Sequence, residues 1–140
     1  DRFINKRKFV RVTPSQKISV TFIDYPNLEA EIADISESGV GILIQARHFP
    51  AEAFTTGKDI SIGLMLPDEQ TKTLLPLLLR GEVRSAMKLP NGLVRAGILL
   101  FPHRKAASIL QQYVAMRKKA ILKELDELYL ATIAKYSISS

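Results

Sequence analysis

Cysteine is absent from the 140 residues and histidine occurs only twice. Without cysteine there is no disulfide framework, no thiolate nucleophile and no cysteine-bound zinc, and a core built without staples suits the reducing cytoplasm, the expected location. His48 and His103 each lack a second histidine or cysteine at ligand spacing, so no metal site and no cofactor are expected. Long apolar runs are missing too: the most apolar, Leu74 to Leu79, is six residues with Pro76 inside it. A bilayer span needs roughly 20, so no membrane span is expected. Neither a Gly-Lys-Ser/Thr phosphate loop nor a G-x-S-x-G elbow occurs, and Glu29 with Glu31 reads as a solvated strand face before a catalytic carboxylate pair. These absences point away from an enzyme. Asp1 to Lys6 hold no apolar stretch and no initiator Met, so they read as the cut end of a longer chain rather than a signal peptide, with room for an upstream domain.

What is present is the size of one domain, with 46% hydrophobic and 24% charged residues, enough to bury a single core. The net charge is +6 and the pI about 9.7, which favours an anionic partner through the attraction of a positive field. Nucleic acid, a nucleotide, anionic lipid and an acidic protein face all satisfy that balance. The charge is uneven: Arg2, Lys6, Arg7, Lys8 and Arg11 crowd the first eleven positions.

From Lys17 the pattern is that of strands. Ile18, Val20 and Phe22 alternate with polar residues, Tyr25-Pro26-Asn27 is expected to turn the chain, and Leu28 to Ala33 alternates again. Val40 to Ile44 is a β-branched run, Phe49 to Thr56 reads as a connection, and Ile60 to Leu66 alternates until Pro67-Asp68-Glu69. Leu77 to Met87 and Leu93 to Phe101 flank Pro90-Asn91-Gly92, a hairpin turn in which Asn-Gly supplies positive φ. Short strands at such spacing, with no helix between them, predict a mainly β fold: a six-stranded antiparallel barrel. After Pro102 the period becomes helical through Ala106, Ile109, Leu110, Tyr113, Val114, Ile121, Leu125, Leu128 and Thr132. The expected organisation is a basic arm over 1–12, a barrel over 13–102 and a long C-terminal helix over 103–137. That helix outlasts what one small domain needs, and Ile121, Leu125, Leu128 and Thr132 approximate the a/d seam of a homodimer. Docking on the barrel or on an upstream domain would use the same residues.

Two segments could carry recognition. Arg7-Lys8-Phe9-Val10-Arg11 sets two guanidinium groups four residues apart, and arginine both forks onto phosphate and lies flat on a purine. Alone, such an arm is as readily a solvated end or a nonspecific nucleic-acid contact. Asp34-Ile35-Ser36-Glu37-Ser38-Gly39 lies at the bend between two strand patterns. The Asp34 carboxylate can accept from the N1 and N2 donors of guanine, the Ser36 hydroxyl can reach a base or phosphate, and Gly39 permits a backbone geometry other residues resist. Alone, this is also ordinary turn chemistry.

Together, R-x-x-x-R followed by D-x-S-x-x-G across one alternating strand resembles the PilZ domain family of cyclic di-GMP receptors, including the C-terminal domains of flagellar brake proteins. Arg95 to Phe101, with Gly97 and a Phe four residues on, is similar to that family's final strand. The resemblance covers Lys6 to Phe101 and implies a Greek-key barrel of the PilZ type with the ligand on its outside. It implies that Arg7 and Arg11 hold phosphates and guanine, that Asp34 and Ser36 read guanine edges, that Gly39 shapes the loop, and that Lys8 and Gly97 line the site. Lys6 stands just before the first motif arginine, where a basic residue accompanies an intercalated ligand dimer. Position 8 is Lys where many members have Arg. The implied mechanism is ordering of an otherwise mobile arm by ligand, relayed to a protein partner or upstream domain in motility, exopolysaccharide or virulence control. A nucleic-acid-binding barrel is the competing reading, weakened by aromatics at only 7% and no stacking pattern on the sheet; a ligand-free adaptor would have eroded motifs.

Overall fold

The computed structural model describes residues 10–68 and 70–139. Six antiparallel strands, β1 (Ser19–Phe22), β2 (Tyr25–Ile35), β3 (Gly39–Gln45), β4 (Asp59–Asp68), β5 (Thr73–Lys88) and β6 (Leu93–Leu100), close in the order β1-β2-β3-β6-β5-β4. β3 lies beside β6, the far strand of the β4-β5-β6 meander, which is the Greek-key arrangement. One helix follows, α1 (Arg104–Ser139).

Period-2 alternation sets the inside of the barrel. Val20 and Phe22, Ile42 and Ile44, Ile60, Ile62, Leu64 and Leu66, and Val94, Ala96 and Ile98 all point inward and are buried. Each large side chain so removed from water contributes roughly 1.5–3 kcal/mol before chain entropy is counted. Antiparallel pairing collects the ends of β2, β4 and β6 and the starts of β1, β3 and β5 at one mouth, the other ends at the opposite mouth.

Several boundaries differ from the sequence expectation. The first turn is at Ile23-Asp24, because Phe22 pairs with Tyr25 in a two-residue hairpin, and Pro26 lies inside β2. β4 runs on through Pro67 to Asp68 and β5 begins at Thr73, so the run holding Pro76 is strand. Its proline is tolerated because Thr73 to Leu79 pairs with β4 alone; β6 joins β5 only from Gly81. The β5–β6 turn is as expected, with Gly92 at φ 81°. β6 ends at Leu100, leaving Phe101 outside the strand and exposed.

The stretch read as a plain connection forms two short 3-10 helices, Ala46–His48 and Ala51–Phe54. It carries the chain from β3 to β4 across one mouth, and there Phe54 is buried, its ring edge-on to Phe22 at 5.3 Å between centroids. α1 serves the other mouth, where Ala106, Leu110, Tyr113 and Val114 join the core. From Leu122 to Tyr136 the helix is exposed, so the length predicted to exceed the domain's need does project from it.

Candidate functional site

The rim of the α1 mouth carries the second motif and Arg11, the last arginine of the first. β2 has a bulge between Ile32 and Asp34, so the chain shifts by one and Asp34 faces outward opposite Gly41 while Ile35 points into the core opposite Val40. Ser36 then closes the turn into β3. Its Oγ accepts from the main-chain N–H of Ser38 at 3.2 Å and of Gly39 at 3.0 Å, and it donates to the Gly39 carbonyl at 3.3 Å. The hydroxyl is buried and fully used within the loop.

Gly39 is needed for space rather than for an unusual backbone angle, since its φ is not in the left-handed region. A Cβ there would stand 3.0 Å from the Ile98 carbonyl oxygen and close to the Arg11 guanidinium.

Arg11 arrives through its neighbour. Val12 pairs with Ile35 by two main-chain hydrogen bonds of 2.9 Å each and buries its own side chain in the core. The arm therefore ends as an added stub of strand, and alternation turns Arg11 outward beside Asp34. Arg11 Nη1 donates to Asp34 Oδ1 at 2.8 Å, joining the two motifs across 23 residues of sequence. Arg95, on the outer face of β6, donates from Nη2 to Asp34 Oδ2.

Two cations therefore flank one carboxylate. Partial burial alone would raise the Asp34 carboxyl, but hydrogen bonds from Arg95 and Arg11, with their charges, outweigh it and hold the group below its ordinary value. The trio keeps one net positive charge at a rim that is about a quarter to a third exposed. Beside it Asp34, Gly41, Gly97 and Ser85 sit in one cross-strand row over β2, β3, β6 and β5, with the Arg95 guanidinium lying over Gly41 and the Ser85 hydroxyl beside Gly97. An anion meets donors here, and the carboxylate can accept. A concavity of about 540 Å³ lies elsewhere, on the outer wall of the β1–β2 hairpin around Lys17, Glu29 and Glu31, and holds none of these groups.

Of the residues picked from sequence, the structure brings Arg11, Asp34, Ser36, Gly39 and Gly97 to this one wall. Lys6, Arg7 and Lys8 lie outside the described residues. Arg95 and Gly41 were missed as site residues. Both were detectable, since alternation places Arg95 on the same face as Gly97, and Gly41 on the same face as Gly39.

The PilZ domain model matches residues 5–115. The chain belongs to the PilZ domain family. No curated protein sequence matches it closely. Among solved structures it is similar to the inhibitor of motility MotI/DgrA of Bacillus subtilis, with a TM-score of 0.69 and 17% identity over 82% of this chain and 52% of that one. The PilZ domain of Escherichia coli YcgR, solved with cyclic di-GMP, gives a TM-score of 0.64 and 16% identity over 86% of this chain and 98% of that one. YcgR in complex with cyclic di-GMP gives 0.65 and 13%, over 88% and 50%. At these identities the likeness is one of fold. This PilZ chain spans about half the length of MotI and of the longer YcgR structure.

Proposed function

We propose that this PilZ domain is a cyclic di-GMP receptor and not an enzyme. The observation that carries the reading is the contact of Arg11 with Asp34, which puts the last arginine of one motif against the first residue of the other on a partly exposed, cationic wall. Phosphates of the ligand are held by Arg7 and Arg11, a guanine edge is accepted by Asp34, and Ser36 acts through the loop it closes. Lys6 favours two stacked ligands. Capture of the phosphates fixes the segment that precedes Val10, and so whatever domain that segment joins.

Calorimetric titration tests this. The wild type should bind cyclic di-GMP saturably, near two ligands per chain, with Arg7→Ala, Arg11→Ala and Asp34→Ala each weakening binding tenfold or more, about 1.4 kcal/mol. An affinity no better than that for GTP would end the proposal. A barrel that binds nucleic acid would instead show a steep salt dependence spread over many Lys and Arg residues. The exposed half of α1 is assigned to protein contact, with a second copy as the partner.

A further inference from the structure

We infer that Arg95 is a positioning residue for base selection: it crosses the bare Gly41 to hold one oxygen of Asp34, fixing the plane in which that carboxylate meets guanine. This rests on the cyclic di-GMP reading above and adds a residue that neither motif contains.

The geometry is specific. Arg95 stands on β6, and β3 lies between it and Asp34 on β2. Its side chain reaches across only because position 41 has none. A Cβ on Gly41 would lie 2.8 Å from Arg95 Cζ and 2.9 Å from Asp34 Oδ1, too close for either to stay. Arg11 and Arg95 then take one oxygen each. A carboxylate offers about four lone-pair directions, so one donor per oxygen leaves capacity on both. The two flanking guanidinium groups also remove free rotation of the carboxylate.

A guanine edge needs that restraint. Its N1–H and exocyclic N2–H are parallel neighbours, and they are met only by two acceptors held side by side. With Arg11 alone on Oδ1 the carboxylate pivots, and Arg11 is also wanted by phosphate. Arg95 stands on a strand paired on both sides, opposite Leu43 and Met87, whereas Arg11 stands on a stub held through Val12, so Arg95 is the constant member of the pair. Loss of the second acceptor's aim would cost discrimination more than general anion affinity, because a site built for a donor rejects the analogue that lacks it.

The experiment compares cyclic di-GMP with its inosine analogue, cyclic di-IMP, which has no exocyclic amine, by calorimetry on the whole chain. The wild type should prefer the guanine ligand at least tenfold. Arg95→Met should lower cyclic di-GMP affinity tenfold or more and cyclic di-IMP affinity much less, bringing the ratio near one. Gly41→Ala keeps every charge but blocks the crossing, and should also collapse the ratio. Arg95→Lys should recover part of it. Thermal melts accompany each variant, and a folded variant with an unchanged ratio overturns the inference. Equal losses for both ligands overturn it too, since Arg95 would then be a general anion contact. Failure of the receptor reading looks different: the wild type would bind neither ligand.

Discussion

Arg117, on α1, donates from Nε to the main-chain carbonyl of Thr13 at 3.0 Å. Thr13 is two residues beyond Arg11, so the helix grips the chain where the arm enters the barrel. The guanidinium is only 7% exposed, whereas its other contact, Glu124 at 4.0 Å, is 68% exposed and screened by water. The hydrogen bond to Thr13 therefore outweighs that ion pair. Arg117→Met keeps much of the aliphatic packing and removes the donor. It should cost about 1–3 kcal/mol in urea unfolding, with Glu124→Gln near neutral. Equal effects for the two variants would show that the helix is held by charge and not through Thr13.

The Asp34 trio fixes a direction for acid sensitivity. The folded-state carboxyl lies below its ordinary value of 3.8, so the paired form is favoured in the folded state. Stability from such a group is full above the unfolded value and disappears as pH falls through the lower, folded one. The advantage of the wild type over Asp34→Asn should hold from about pH 7 to about pH 5 and shrink only below about pH 4. Denaturant unfolding of both proteins across that range reads it. A gap that closes already between about pH 6 and pH 5 would mean that another group, not Asp34, supplies it.

Phe54 stops the mouth opposite the site, with Phe22 and Phe49 as its ring neighbours. Truncating a buried aromatic leaves both lost transfer energy and a void. Phe54→Ala should destabilise by about 3–5 kcal/mol and Phe54→Leu by clearly less. Since the site lies at the other mouth, ligand affinity of the Leu variant should stay within about twofold, measured at a temperature where it is folded. A large affinity loss would mean that the plug organises the whole barrel, rim included.

Alternation made the barrel legible, because one-sided burial leaves a period of two that Ile60 to Leu66 repeat without fault. Where partners came from far away, the sequence was mute. Phe54 sits in a single 3-10 turn with no period, and only the closing of the mouth around Phe22 tells that it is core. The sequence reads as strand only from Leu77, leaving Pro76 outside it, because nothing local says that β5 there has a neighbour on one side alone. The motifs gave Arg11, Asp34 and the Ser36 loop. Alternation puts Arg95 on the face of Gly97, but its contact with Asp34 follows only from the register of β2, β3 and β6, which brings residues 61 apart to one carboxylate. Ser36 shows the converse, a residue chosen for its hydroxyl whose hydroxyl the loop consumes.

The seam expected from Ile121, Leu125, Leu128 and Thr132 is altered by the structure. Ile121 packs against the barrel core, and the exposed large side chains beyond it are Leu122, Leu125, Leu128, Tyr129, Leu130, Ile133 and Tyr136, each between 44% and 71% accessible. At 3.6 residues per turn, Leu122, Leu125, Tyr129 and Tyr136 keep the three-four spacing of a seam. Their arc is turned by roughly 80° from that of Leu110, Val114 and Arg117, which face the barrel. One helix can thus dock inward with its first half and meet a second copy with its last. Sedimentation equilibrium of the wild type should show a reversible dimer at tens of micromolar, and Leu125→Glu should return it to a monomer. Because Leu125 does not touch the core, that change should move barrel stability by no more than about 0.5 kcal/mol. A wild type that sediments as a monomer at those concentrations would leave this face to a different protein and remove the second copy as its partner.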